Sequence, residues 1–392
     1  MRVSIVVQRY GPDVLGGAER HARQVAERLA EHYEVQALTT CAHDYATWAN
    51  AYPPGESVIN GVRVLRFPTL QPRATNLPQL WDRVHLRVHT LADEMTWLRA
   101  QGPYAPGLLD YLRQQRDESD VFIFFTYLYY PTAMGLRLVA DKSILVPTAH
   151  DEDPIYLNLF RDVFHSPRAI LYNTEEERRF VERHFDNGYV PNAVVGVGID
   201  LPDAPQPERF SARFGLDRPY FLYLGRIVPD KGCAEMLDYF DAYRRAFPDE
   251  AILTLVGAGE MPLPSAPWLV PTGFIHDEDK VDAIAGAEAV IVPSRYESMS
   301  LTTLEAWSLG RPVVCTAHSP VVRGLVRRAG GGLYYGDSDE FVEALHLLVS
   351  DRDTADGLGR QGRSFTRATY RWPEVIATYQ QFIEDIAAQP WR

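Results

Sequence analysis

The amino-acid sequence predicts an α/β protein of two doubly wound, Rossmann-like halves, on three observations. Short apolar runs alternate with amphipathic segments along most of the chain. The alternation pauses at 201–219, a polar stretch punctuated by Pro202, Pro205, Pro207 and Pro219, and then restarts. At 392 residues the chain is also longer than a single core usually serves. The expected division is 1–204 and 205–372. Two such halves joined by a short link imply a cleft between them, a favoured place for a ligand.

In order along the chain, 3–7 reads as a strand, followed by a glycine-containing loop and a helix from about Ala18 with Ala22, Val25, Ala26 and Leu29 on one face. Strands follow at 35–39 and 62–67. The stretch 68–118 differs, being helical, aromatic and charged with Pro and Gly breaks. Strands resume at 121–126, 144–147 and 169–172, and a charged helix runs from Thr174 to about His184. The second half opens with a strand at 220–224, a helix at 233–247 and a strand at 252–256. A helical stretch at 279–285 comes next, then the strand 289–292, a helix around Trp307 stopped by Gly310 and Pro312, and the strand Val313-Val314-Cys315. The segment 341–349 is amphipathic, and 372–387 forms a last helix with Val375, Tyr379, Phe382 and Ile383 on one side.

Composition removes several classes of function. A net charge of −13 argues against a nucleic-acid binder, which needs a basic face. The three cysteines, Cys41, Cys233 and Cys315, are far apart, form no C-x-x-C, and fit a reduced setting, so a cytoplasmic protein is expected. The first residues already read as a strand, with no signal peptide, and no apolar run reaches bilayer length. Membrane contact is expected to be peripheral at most, at the inner face. A Gly-x-Gly-x-x-Gly fingerprint is missing after both candidate strands, where Gly257-Ala258-Gly259 lacks the third glycine, and there is no phosphate-binding P-loop. A hydride-transfer enzyme is therefore disfavoured.

The stretch from Ser294 to Glu305 is the most informative. It sets Glu297 in the loop after a parallel strand and Glu305, eight residues on, in the first turns of the next helix. Ligands of open α/β sheets bind at that edge. The helix start favours an anion such as a diphosphate, and a carboxylate beside it suits sugar hydroxyls. The alternative is structural: Ser294-x-x-Glu297 and Thr302-x-x-Glu305 both fit a capping box. Arg226 and Lys231, in the loop after 220–224, are a planar fork and a point charge suited to a diphosphate; otherwise they are surface cations at a helix start, where they are unfavourable without an anion. Gly16 and Gly17 would let backbone approach a ligand, or form a plain loop. His150 follows the strand 144–147 and could bond a sugar hydroxyl. Asp151, Glu152 and Asp153 beside it match no specific metal spacing, so no metal is expected.

Together these residues resemble the family-4 retaining glycosyltransferases of GT-B fold. The resemblance rests on motif order: the glycine pair, His150, Gly225-Arg226…Lys231-Gly232, and Glu297-x7-Glu305 running into Leu304-Glu305-Ala306-x-x-x-Gly310-x-Pro312-Val313-Val314. It implies an acceptor-binding first domain, onto which the terminal helix 373–392 packs back, and a nucleotide-sugar donor domain at 205–372. It assigns Arg226 and Lys231 to the donor diphosphate, Glu305 to the ribose, and Glu297 to the sugar. Backbone from Met299 through Ser300 and Leu301 to Thr302 would lie against sugar and phosphate. Gly225 belongs to the donor loop, Phe274 and Ile275 to the base pocket, Gly16 and Gly17 to diphosphate or acceptor, and His150 to the transferring sugar. The implied partners are a UDP- or GDP-sugar and a glycan or lipid-linked acceptor, with no cofactor and no metal. One departure is Ser298-Met299-Ser300, where the family often has Gly-Phe-Gly. The rival readings are an epimerase or hydrolase of the same fold, or a non-catalytic nucleotide-sugar binder.

Overall fold

The structure, a computed structural model, describes residues 1–14, 16–200, 204–259 and 261–388. It divides into two compact units: Met1–Gly196 together with the chain from Pro373 onward, and Val197–Trp372. Part of the proline-rich link, 201–203, and the last four residues of the terminal segment lie outside the described residues. The division precedes that link because Ile199 already hydrogen-bonds the Tyr370 carbonyl at 2.9 Å and Gly198 packs against the Trp372 ring.

The first unit is built on eight strands: β1 (Arg2–Val6), β2 (Glu34–Thr40), β3 (Gly55–Ile59), β4 (Val62–Phe67), β5 (Val121–Phe125), β6 (Ser143–Val146), β7 (Ala169–Tyr172) and β8 (Asn192–Val194). Their order is β3-β4-β2-β1-β5-β6-β7-β8, parallel except for β3. The interior strands are buried on both faces, as β5 with its Val-Phe-Ile-Phe-Phe shows, because helices cover the sheet. β3 and β4 form a hairpin through Asn60-Gly61, both with positive φ (46° and 82°), the tight turn that matches strand twist. The stretch 68–118 holds the helices Leu77–His85, Leu91–Gln101 and Pro106–Gln114, whose Trp97, Leu98, Leu108 and Leu112 pack with Phe122 and Phe124. The helix Trp372–Ala388 contributes the buried Val375, Tyr379 and Ile383, and Glu384 accepts from the Tyr33 hydroxyl at 3.3 Å.

The second unit has six parallel strands, β9 (Tyr220–Leu224), β10 (Ile252–Val256), β11 (Leu269–Gly273), β12 (Ala289–Val292), β13 (Val313–Thr316) and β14 (Gly332–Tyr335), in the order β11-β10-β9-β12-β13-β14. This is the doubly wound order with its switch point between β9 and β12. β11 carries Pro271, tolerable because the strand lies at an edge. The helix Arg352–Thr369 contains Gly357, Gly359 and Gly362. Gly359 lies on the Gly310 carbonyl and Gly362 on the Trp307 ring, so larger residues would separate this helix from Leu301–Ser308. No helix among the described residues is long and apolar enough to cross a membrane.

Candidate functional site

In the second unit the loops after β9 and β12 meet at the switch point. Gly232, at φ 75°, sits against the Pro293 carbonyl, where a side chain would collide, so the two loops touch backbone to backbone. The β9 loop is also braced from β10. Gly225 N–H donates to Val256 O and Ile227 N–H to Ala258 O, both at 3.0 Å. Gly257 and Gly259 pack on the Gly225 and Ile227 carbonyls. This explains the incomplete glycine motif: its two glycines seat the loop that carries Arg226. The Arg226 carbonyl accepts from the Tyr223 hydroxyl at 2.6 Å, and the Arg226 side chain is exposed.

Lys231 Nζ donates to Glu297 Oε1 at 2.8 Å and lies 3.5 Å from Ser294 Oγ. A second lysine, Lys280, donates to Glu305 Oε1 at 2.9 Å and lies 3.4 Å from Asp277. Both pairs are partly shielded from water. Neither glutamate caps a helix. The helix Leu301–Ser308 is capped by Ser300, whose hydroxyl accepts from the Thr303 N–H at 3.3 Å; the capping-box pattern at Thr302 and Glu305 starts two residues too late. Glu297 stays in the loop. The N–H groups of Leu301 and Thr302, at the first turn, have no intrahelical partner and present positive potential there. Arg295 pairs with Glu235 at 2.8 Å and ties the β12 loop to the helix Cys233–Ala246. Met299 packs partly on the core and Ile275 is buried within it, while Phe274 is exposed.

In the first unit His150 follows β6. Thr148 has φ 49°, and the Ala149 N–H donates to Glu177 at 2.6 Å, so a buried carboxylate holds the turn that presents His150. Glu177 also accepts from the Asn173 N–H at 2.6 Å; burial pushes its carboxyl up to about 8 against the pull of these N–H groups. His150 Nδ1 lies 3.7 Å from Glu152 Oε1, which accepts from the Tyr127 hydroxyl at 2.7 Å. Among the described residues no group of three or more His, Cys, Asp or Glu side chains is arranged to hold a metal. Gly17 begins the first helix, Gly17–Leu29, and Gly16 abuts the side chain of Glu19, which is buried with Arg9 at 2.5 Å. Gly16 therefore makes room for an ion pair within its own unit.

The structure pairs Lys231 with Glu297 and Lys280 with Glu305; the sequence points to Lys231, Glu297 and Glu305 but not to Lys280, Glu177 or the Arg9–Glu19 pair. A signal for Lys280 was present. The chain has only three lysines, Lys142, Lys231 and Lys280, against a large excess of arginine, and two of the three hold the two glutamates.

Residues 218–351 match the family described as Glycosyl transferases group 1. A glycogen synthase of Mycobacterium tuberculosis is 23% identical over 98% of this chain and 94% of its own. A GDP-mannose-dependent alpha-(1-6)-phosphatidylinositol monomannoside mannosyltransferase of Mycolicibacterium smegmatis is 28% identical over 50% of this chain and 57% of its own. Among solved structures, a sucrose-phosphate synthase from Thermosynechococcus elongatus aligns with a TM-score of 0.73 at 17% identity, covering 99% of each chain. Anabaena HepE in complex with UDP and glucose aligns at 0.72 and 14% identity, covering 99% of this chain and all of its own. These likenesses establish the GT-B arrangement of two sheets of mostly parallel strands.

Proposed function

We propose that this glycosyltransferase, whose residues 218–351 form a Glycosyl transferases group 1 domain, moves a sugar from a UDP- or GDP-sugar to a glycan or lipid-linked acceptor with retention of configuration and without a metal. The observation that carries this reading is the pairing of Lys231 with Glu297 and Lys280 with Glu305 at the switch point of that domain. Relatives support both nucleotide classes, one solved with UDP and glucose and another named for its dependence on GDP-mannose.

In this reading Arg226 and Lys231 receive the donor diphosphate, helped by the free amides at Leu301 and Thr302. Lys231 then exchanges Glu297 for phosphate, which frees Glu297 to accept from the sugar's hydroxyls. Glu305, steadied by Lys280, accepts from the ribose. Gly225 and the backbone of Met299 and Ser300 line the donor, with Phe274 and Ile275 at the base. The first unit supplies the acceptor side, with His150 bonding the transferring sugar and Gly16 and Gly17 near the diphosphate or acceptor. The bond from the anomeric carbon to the phosphate oxygen breaks while the acceptor oxygen bonds on the same face. The acceptor proton passes to the departing phosphate. Cations placed where charge develops do the work that a metal would otherwise do. The enzyme would work in the cytoplasm, touching a membrane at most peripherally.

The test is thermal stabilisation of the full chain by a panel of UDP-, GDP- and ADP-sugars, with Glu305→Ala in parallel. A shift confined to one nucleotide class and reduced in the variant supports the reading. No shift with any of them sinks it, and consumption of the donor without an added acceptor turns it into an epimerase or hydrolase.

A further inference from the structure

Apart from His150, the carboxyl edge of the first unit's sheet carries a second polar group, drawn from the loops after β1, β2, β4 and β5. The Arg9 guanidinium stands 5.7 Å from the centre of the Tyr45 ring, and the Arg73 guanidinium stands 5.6 Å from the same ring and 5.3 Å from Trp48. Tyr129 meets Trp48 edge to face at 5.3 Å. The two cations differ in what answers their charge. Arg9 has its fork on Glu19, with Nε at 2.9 Å and Nη2 at 2.5 Å, and its Nη1 on the His43 carbonyl at 2.9 Å. Among the described residues the Arg73 side chain makes one hydrogen bond, from Nε to the Gln101 carbonyl at 3.3 Å, and no carboxylate lies within ion-pair distance of it, while its backbone N–H donates to the Thr47 carbonyl at 2.9 Å. Asp44 attracts it from farther off, but the oxygens of Asp44 accept from the Ala46 N–H at 3.0 Å, the Thr47 N–H at 2.7 Å and the Thr47 hydroxyl at 2.6 Å. Burial disfavours the Arg73 charge and lowers its pKa, with Arg9 adding to the effect.

Arg73 is part-buried, and its Nη fork, which has no protein partner among the described residues and is not among the buried polar atoms, is open to an incoming ligand. It stands at the sheet edge where ligands bind. We propose that Arg73 is the anion site of the acceptor: the acceptor bears an oxyanion, phosphate or carboxylate, which the Arg73 fork takes bidentately. Tyr45 and Tyr129, both part-buried, supply ring surface beside it for the acceptor's hydroxylated body, with the fully buried Trp48 packed behind them. This rests on the glycosyl-transfer reading and names its acceptor class. Arg9 lends positive potential but not its fork, which Glu19 occupies.

The test uses the full chain with Arg226→Gln and Lys231→Met, so that the cations of the second unit cannot account for anion binding. Calorimetry measures glucose 6-phosphate, glucuronate and glucose, with inorganic phosphate as a fourth probe. At least one anionic sugar should bind about tenfold or more tighter than glucose, the size expected of a charged hydrogen-bonded pair. Adding Arg73→Gln should erase that difference and leave glucose unchanged, and Arg73→Lys, which keeps charge but not the fork, should fall between. The ranking of phosphate against carboxylate identifies which the site takes. Equal affinity for charged and neutral sugars, no binding of any, or a preference that survives Arg73→Gln and Arg73→Lys overturns the proposal. Nucleotide-sugar binding by the unmodified chain is a separate measurement, so failure of the donor reading is distinguishable from failure of this one.

Discussion

Lys231 holds Glu297 at 2.8 Å across two loops that leave neighbouring parallel strands, so one ion pair fastens the switch point of the second unit shut. Under the proposed reading, a ligand bearing both a diphosphate and a hydroxylated ring would part this cation from its carboxylate. Lys231→Ala should cut turnover by roughly a hundredfold or more, as loss of a charge-stabilising donor does, while Tm moves by a few degrees. A variant that melts early but keeps its turnover per folded molecule would sink this assignment. Glu297→Gln should move two affinities in opposite directions: UDP or GDP alone binds several-fold tighter and the matching sugar nucleotide weaker, by calorimetry. Parallel movement of both would refute the exchange of partners.

Lys280 donates to Glu305 at 2.9 Å, so the ribose contact proposed for Glu305 should depend on both side chains. Lys280→Met should raise the donor KM about tenfold with a smaller change in kcat. The double variant Lys280→Met with Glu305→Gln should cost little more than either single change, the non-additivity expected of contacting groups. Additive losses in steady-state kinetics would show that the two side chains work independently.

The seat beneath the β9 loop should be sensitive to a single methyl group. In Gly259→Ala the new carbon would meet the Ile227 carbonyl, pushing the segment that carries Arg226. The cost should fall on diphosphate affinity as well as on stability, which should drop by about 1–3 kcal/mol through overpacking. Denaturant unfolding together with UDP or GDP titration checks both. Unchanged nucleotide affinity in the folded variant would mean that the loop position is not what binds.

Two buried groups of the first unit give stability opposite pH limits. Burial lowers the His21 pKa from 6.5 to about 3; its Nε2 is buried without a hydrogen-bond partner and the ring meets Phe125 edge to face at 5.1 Å. The unfolded chain takes up this proton below pH 6.5 and the folded chain does not, so stability falls as pH drops from 6.5 towards 3, by up to about 5 kcal/mol. Glu177 runs the other way. Its folded pKa of about 8 lies above the ordinary 4.5, so its stabilisation is complete below 4.5 and is lost as pH rises through 8. Tm measured from pH 4 to 9 should therefore flatten on the acid side in His21→Phe and on the alkaline side in Glu177→Gln. Curves parallel to the parent would rule out these two groups as the cause.

The strands at 62–67, 169–172, 220–224 and 252–256 were legible to the residue because each is an apolar run closed by a turn or a change of composition. The edge strands were not. β11 contains a proline and β14 two tyrosines between glycines, since an edge needs to bury little. β3 escaped notice although Asn60-Gly61 announces its turn. The helix Arg352–Thr369 was hidden by its glycines, whose purpose is close packing on Gly310 and Trp307, a tertiary reason invisible in local pattern. At the site, Glu297 and Lys231 stood in readable loops. Lys280 did not, because it reaches Glu305 only once β11 and β12 bring their following helices together. Arg73 lay in the stretch 68–118, where no motif hints that its side chain would meet no carboxylate among the described residues.

The first unit is closed by residues that follow the second unit in sequence. Tyr379 and Ile383 are fully buried in a unit whose other elements all precede Gly196. On the ribosome, the second unit's six strands therefore emerge, and are free to collapse, before the first unit receives its final helix. Domains usually mature in the order of synthesis; here the order is reversed for completion. A nascent chain stalled just past Trp372 holds a complete second unit tethered to an N-terminal one that still lacks Tyr379 and Ile383.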